Sequence, residues 1–391
     1  MAGLRPTVGT LEVVPPPRLG GVPLVESVQF AQAPAPALTC YLEEPPNAGT
    51  PRESLIRDFL TPTPLFYLRS HAPTPAVDAA SYGLRVEGEV GTPLSLSLPE
   101  LLARFPRVEI AATLQCAGHR RLELHRLTPI PDELLWGPDA ISTAIWSGVR
   151  LRDVLLAAGL RAGTARHVAF EGLDEIRKGG PPFGYGGSIP VEKALGPEVL
   201  LADRMNGEPL PPVHGFPLRV VVPGYIGARS VKWVHAIRVR AEPSANYYQA
   251  HAYKLFPPET RAETVDWSEG QMLGPLPLDA VILSPGDGEV VPAGDVPVHG
   301  YAIVGDGRGL DRVELSADGG RTWPVTAALG AGQAWTWRRW TALFPLPPGQ
   351  RRLLARAWDT TGQTQPSGAE ATWNFKGYAN NARHVVDVQV R

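Results

Sequence analysis

At 391 residues the chain is long enough for two or three domains, and a hydrophobic content of 43% supplies a sizeable core. Its 41 glycines and 42 prolines exceed ordinary usage, which excludes long helical bundles without implying disorder in so apolar a chain. With 37 Lys+Arg against 39 Asp+Glu the net charge is -2, so nucleic acid and anionic membranes are not expected partners, and any anion site is local.

Two cysteines, Cys40 and Cys116, make no disulfide framework and are read singly. No apolar run approaches ~18 residues, so no membrane insertion is expected. Neither a basic flank with an apolar run nor a twin-arginine signal opens the chain, which reads as cytoplasmic, or as periplasmic where an export signal has been trimmed.

Residues 1–58 hold Pro15, Pro16, Pro17, Pro23, Pro34, Pro36, Pro45 and Pro46 with no sustained period, and read as a proline-rich arm; Cys40 within it reads as structural. Residues 59–265 mix strand and helix signals, an α+β pattern. Tyr82–Val90 and Arg166–Phe170 are predicted strands, and Arg150–Ala158 is a predicted helix closed by Gly159. Leu200–Met205 reads as a strand entering an Asn206-Gly207 turn, and alternation from Val231 to Val239 reads as a half-solvated strand. From residue 271 to 391 short alternating strands are divided by Gly, Pro and Asp turns. Asp311–Ser316, Leu353–Trp358 and His384–Val390 are examples, with Trp335, Trp337, Trp340, Trp358 and Trp373 as core or seam residues, and the pattern predicts an all-β immunoglobulin-like sandwich.

Chemistry points to Thr113-Leu114-Gln115-Cys116-Ala117-Gly118-His119-Arg120-Arg121. Adjacent cations suit a thiolate, and the Ala-Gly pair leaves room for a bulky group beside the sulfur; a buried inert cysteine is the alternative on these residues alone. The segment Leu114–Gly118 with Arg120-Arg121 resembles the molybdenum-ligating segment of the sulfite oxidase family, enzymes using molybdenum on one pterin dithiolene. Further segments follow the family's order: Ala140–Ala144, Glu171–Asp174, Tyr185–Pro190, Met205–Pro211, His214–Gly224 and Gly227–Trp233.

The resemblance implies a molybdopterin-binding catalytic domain over 59–265 and an immunoglobulin-like dimerisation domain over 271–391, hence a homodimer. It implies Cys116 as the protein ligand to molybdenum, since thiolate and dithiolene donors tune that metal for two-electron cycling. It places Ser70, His71, Asp174, His214, Arg219, Ser230, Val231 and Lys232 at the pterin and its phosphate, residue types that suit phosphate oxygens and pterin nitrogens. It places Arg69, Arg121 and Lys376 at a small oxyanion, Trp136 as a wall, and Tyr253 beside the reacting oxygen. The implied activity is oxidation of sulfite to sulfate with electrons passed to an external acceptor, a cytochrome or oxygen. No haem is expected, because neither His-Pro-Gly-Gly nor Cys-x-x-Cys-His occurs.

Two positions depart from the family pattern. His119 stands where Asn is common, and Lys376 stands where sulfite oxidases usually carry Arg, which keeps the charge and loses the bidentate fork. Nitrate reduction within the same family is therefore the enzymatic alternative, and a non-enzymatic immunoglobulin-like binding protein is the alternative from another class.

Overall fold

Strand propensity and tight turns dominate this chain, and the computed structural model, which describes residues 37–391, follows them: its longest α-helices among the described residues are seven residues long. Asn206 (φ 50°) and Gly207 (φ 85°) take the paired left-handed conformation that a two-residue hairpin requires, so Leu200–Met205 folds onto Glu208–Pro209. The same strand pairs with Ile141–Arg150 and Arg219–Val221, and Ile141–Arg150 pairs in turn with Arg107–Gln115. These five strands form the sheet from whose edge Cys116 emerges.

A second five-stranded sheet runs Leu94–Ser97, Gly83–Gly88, Val234–Arg240, His167–Gly172 and Gly186–Pro190. Val234–Arg240 lies parallel to Gly83–Gly88 and antiparallel to His167–Gly172. Between the sheets a large apolar core collects Leu84, Val149, Val154, Val168, Ile189, Leu201 and Val239. The predicted helix appears as Leu151–Ala157, ended by Gly159 at φ 71°.

The C-terminal part is a sandwich of a four-stranded sheet and a five-stranded sheet. Asp279–Ser284, Gly294–Ile303, Arg338–Leu346 and Ala328–Leu329 face Val290–Val291, His384–Val390, Gly349–Asp359, Leu310–Ser316 and Val325–Thr326. Its interior holds Val298, Trp340, Phe344, Ala355 and Val386. Of the expected tryptophans, Trp340 fills this core and Trp337 lies at the seam beside Tyr301.

The expected arm has two parts. Residues 1–36 lie outside the described residues, whereas Thr39–Leu42, Asn47–Gly49 and Leu68–Arg69 form a three-stranded sheet and Arg52–Arg57 a short helix. The lead-in therefore ends before Thr39. Cys40 is exposed on the first of these strands, so it fills no core. The catalytic and sandwich parts pack as one compact unit. At their seam the fully buried Arg120 pairs with the fully buried Asp279 at 2.5 Å, His119 Nε2 lies 2.7 Å from the Tyr301 hydroxyl, and Trp337 Nε1 donates to Phe59 O at 3.2 Å.

Candidate active site

Cys116 follows directly on the strand Arg107–Gln115, whose C-terminal half is buried on both faces. Its N–H donates to Ala140 O at 2.9 Å, and its sulfur accepts only a long 3.4 Å contact from the Gly118 N–H. The chain then turns through Arg120, which adopts a left-handed conformation at φ 62° and opens the helix Arg121–Leu127. That turn aims the two arginines in opposite directions. Arg120 goes to Glu123 and Asp279, so it faces the sandwich instead of serving the thiol. The Arg121 guanidinium lies so close to Gly118 that a Cβ there would come within 2.6 Å of it and the guanidinium would have to shift.

The sulfur lies at a cleft holding about 690 Å³ of empty space, lined by Arg69, Ser70, His71, Cys116, Asp174, His214, Arg219, Ser230, Lys232 and Tyr253. The cleft also takes Phe66, Tyr67, Tyr185, Gly227 and Trp233, which sequence reasoning did not single out. Arg69 donates to Asn47 Oδ1 at 3.0 Å, and the Ser70 N–H donates to the same oxygen at 3.1 Å. Asn47 thus fixes two cleft residues from within the stretch read as an arm. It carries no motif, and its partners lie about twenty residues away, so nothing local marks it.

Three cations converge there with little to balance them. Arg219 bonds only backbone carbonyls, among them His214 O at 3.0 Å and Ser230 O at 3.1 Å, and burial pulls its guanidinium down to about 10. Lys232 donates to Ser70 Oγ at 2.7 Å and Val213 O at 2.9 Å; burial, with Arg219 beside it, pulls its ammonium well below the ordinary lysine range. Alternation placed Lys232 on a solvated strand face, but the strand begins at Val234 and Lys232 turns into the cleft. The one lining carboxylate, Asp174, accepts from the Tyr185 N–H at 2.9 Å and is raised by burial. A buried cluster of this kind calls for an anionic ligand.

The histidines are neutral. His214 is pushed down to about 3 by burial, then by Arg219 and Lys232. His71 is held well below its usual value by burial, then by Arg69 and Lys232. Its ring packs against both Tyr185 and Tyr248 at centroid distances of 4.7 and 4.3 Å, and its Nε2 lies 3.0 Å from the Tyr253 hydroxyl. Burial raises the Tyr253 phenol, so this hydroxyl keeps its proton and can donate it.

Four expected site residues lie off the cleft lining. Val231 is 1% exposed with its side chain in the main core, and only its carbonyl is used, accepting from the Val220 N–H at 2.8 Å. Trp136 is fully buried behind the cysteine against Tyr41, 4.5 Å between centroids, and its indole N–H has no partner. Arg121 and Lys376 both pair with Glu133, the former at 3.4 Å. They adjoin the cleft through Tyr378, whose ring lies under the Arg121 guanidinium at 5.0 Å and stacks on Tyr253 at 5.2 Å.

Among the described residues no group of three His, Cys, Asp or Glu side chains could hold a metal ion. A metal at Cys116 must therefore bring most of its ligands with it, as a dithiolene-carrying cofactor does, and its phosphate would meet Arg219, Lys232 and Ser230. The residues present fit such a group.

The family described as "Oxidoreductase molybdopterin binding domain" matches residues 71–248, and "Mo-co oxidoreductase dimerisation domain" matches residues 271–391. A sulfite oxidase of Gallus gallus is 45% identical over 89% of this chain and 77% of its own length. The sulfite oxidase of Arabidopsis thaliana is 37% identical over 92% of this chain and 96% of its own. The solved sulfane dehydrogenase SoxCD of Paracoccus pantotrophus superposes with a TM-score of 0.73 at 25% identity, covering 90% of this chain and 88% of that one. The chain is a molybdopterin oxidoreductase with a C-terminal dimerisation domain, and it belongs to the sulfite oxidase family.

Proposed function

We propose that this oxidoreductase converts sulfite and water to sulfate, two electrons and two protons, the electrons leaving to an external one-electron acceptor such as a cytochrome. The observation that carries the proposal is the free buried thiol of Cys116 at a cleft with three cations and a single carboxylate. Cys116 would hold the molybdenum, and Ser70, His71, Asp174, His214, Arg219, Ser230 and Lys232 the pterin and its phosphate. Bound there, the cofactor supplies two-electron redox chemistry and oxygen transfer. Arg69 orients the anion, with Asn47 limiting its freedom. Tyr253 holds a proton that it can donate to an oxygen of the substrate or share with His71. The packing of His71 against Tyr185 and Tyr248, with Arg69 and Lys232 near it, keeps the imidazole neutral.

The sandwich supports pairing into a homodimer by its family description. The lack of haem and a cytoplasmic location remain parts of the proposal; no helix among the described residues is long and apolar enough to cross a membrane. Purified protein mixed with sulfite and excess ferricyanide or cytochrome c should form sulfate and reduce two acceptor equivalents per sulfite. Nitrate reduction with an artificial donor and no sulfite-dependent acceptor reduction would establish the alternative instead.

A further inference from the structure

Arg121 spends most of its hydrogen bonds on the backbone. Its Nε donates to Lys376 O at 2.9 Å and its Nη1 to Leu134 O at 2.8 Å. The remaining nitrogen, Nη2, faces Glu133 Oε2 at 3.4 Å, while the other carboxylate oxygen, Oε1, pairs with the Lys376 ammonium. A single carboxylate thus bridges the two cations, and the Arg121 guanidinium lies over Tyr378, which stacks on Tyr253. Glu133 sits on the loop between the helix Arg121–Leu127 and the strand Ile141–Arg150, and its side chain keeps 16% of its surface in solvent. The loop on the other side is packed so closely that a Cβ at Gly377, itself at φ 59°, would come within 2.5 Å of the Arg121 side chain. Arg121 is held in place by backbone carbonyls, whereas the Lys376 ammonium and the Glu133 carboxylate have no hydrogen-bond partners among the described residues beyond this cluster, so the carboxylate is free to leave the fixed guanidinium.

We propose that Glu133 is an internal anion that occupies Arg121 and Lys376 until a substrate oxyanion displaces it, and that it thereby sets the affinity of the site for anions. The inference rests on the reading of the cleft as an oxyanion site. An incoming anion must outcompete a tethered carboxylate for the same donors. Sulfite and sulfate, with more charge and several oxygens for a guanidinium and an ammonium, can do so; nitrate, a monoanion, gains less from the same donors and after meeting the same displacement cost binds weakly. Glu133 is a positioning residue that tunes anion affinity on this account, acting through Arg121 and Lys376.

The test uses the molybdenum-loaded enzyme as wild type, Glu133→Gln and Glu133→Asp, with sulfate and nitrate as competing anions. Calorimetric titration gives their dissociation constants, and inhibition of sulfite oxidation gives their inhibition constants. Removing the competing charge is expected to tighten sulfate about tenfold, to lower the sulfite KM by a similar factor, and to tighten nitrate by no more than sulfate. Glu133→Asp, which keeps the charge and shortens its reach, should fall between and is the variant to read if the Gln protein fails to fold. Sulfate and nitrate affinities that stay unchanged, or weaken, in the folded variants would overturn the proposal. Should the wild type show no sulfite turnover, the functional reading fails, while calorimetry with sulfate still reports on Glu133.

Discussion

Among single residues, Cys116 and Arg69 carry the heaviest claims. Cys116 makes no strong hydrogen bond, and replacing sulfur by oxygen changes little in the packing around it. Cys116→Ser is therefore expected to keep the circular dichroism and unfolding midpoint of the wild type and to lose sulfite oxidation. Cys40→Ala, on an exposed strand, serves as the silent control. Arg69→Met removes one or two charge-assisted hydrogen bonds to the anion at about 1.5–3 kcal/mol each, so the sulfite KM should rise roughly ten- to hundredfold or more. A steady-state KM within twofold of wild type would show that the anion does not meet Arg69. The residues that line the cleft were legible as types in short segments, because Cys, Arg, Lys and His grouped in this way stand out against a chain of strands and turns. Asn47 and Glu133 were not, since each acts through partners distant in sequence: Arg69 and Ser70 for the one, Lys376 for the other.

Secondary elements were legible where local signals agree. The Asn206-Gly207 hairpin, the helix Leu151–Ala157 and the strand His384–Val390 lie where turn chemistry and periodicity place them. The expected arm misled from Thr39 onward because proline content marks extended backbone without saying whether it pairs, and Thr39–Leu42 and Asn47–Gly49 pair. The junction between the helix Arg121–Leu127 and the sandwich gives the element-scale predictions. Asp279→Ala leaves the Arg120 charge buried with half its partners gone, and should cost about 3–5 kcal/mol in denaturant unfolding. His119 and His384 at the same junction are pushed by burial to about 3 and about 4 from an ordinary 6.5. Above about pH 7.5 both are essentially neutral whether the chain is folded or not. As pH falls below that value the unfolded chain takes up protons that the folded one refuses, so stability is lost on acidification. At about pH 5 each histidine accounts for roughly 2 kcal/mol of that loss. His119→Asn, which cannot be protonated and can still bond Tyr301, should reduce the loss between about pH 7.5 and pH 5 by that amount; an unchanged pH dependence would contradict the burial argument.

For the whole molecule, the sandwich does two things at once. Its family description marks it as a dimerisation domain, and light scattering at micromolar concentration should give twice the 42.1 kDa chain mass. It also braces the catalytic loop, because the Ala379 N–H donates to Ala117 O at 2.8 Å and Tyr378 stacks on Tyr253. Expression of the catalytic part without residues 271–391 should for that reason fail to give a stable site. The sequence separated two domains by a change in pattern near residue 271; that the second domain's Trp373–Tyr378 segment reaches back to the first one's chemistry depends on a long-range contact no local pattern encodes. The central claim, a molybdenum cofactor ligated through Cys116, is tested most directly by elemental analysis joined to molybdenum X-ray absorption. The account predicts about one molybdenum per chain with one fewer sulfur ligand in Cys116→Ser than in the wild type. Protein purified from a molybdenum-replete host that holds no molybdenum, or an identical sulfur count in the two proteins, would contradict it.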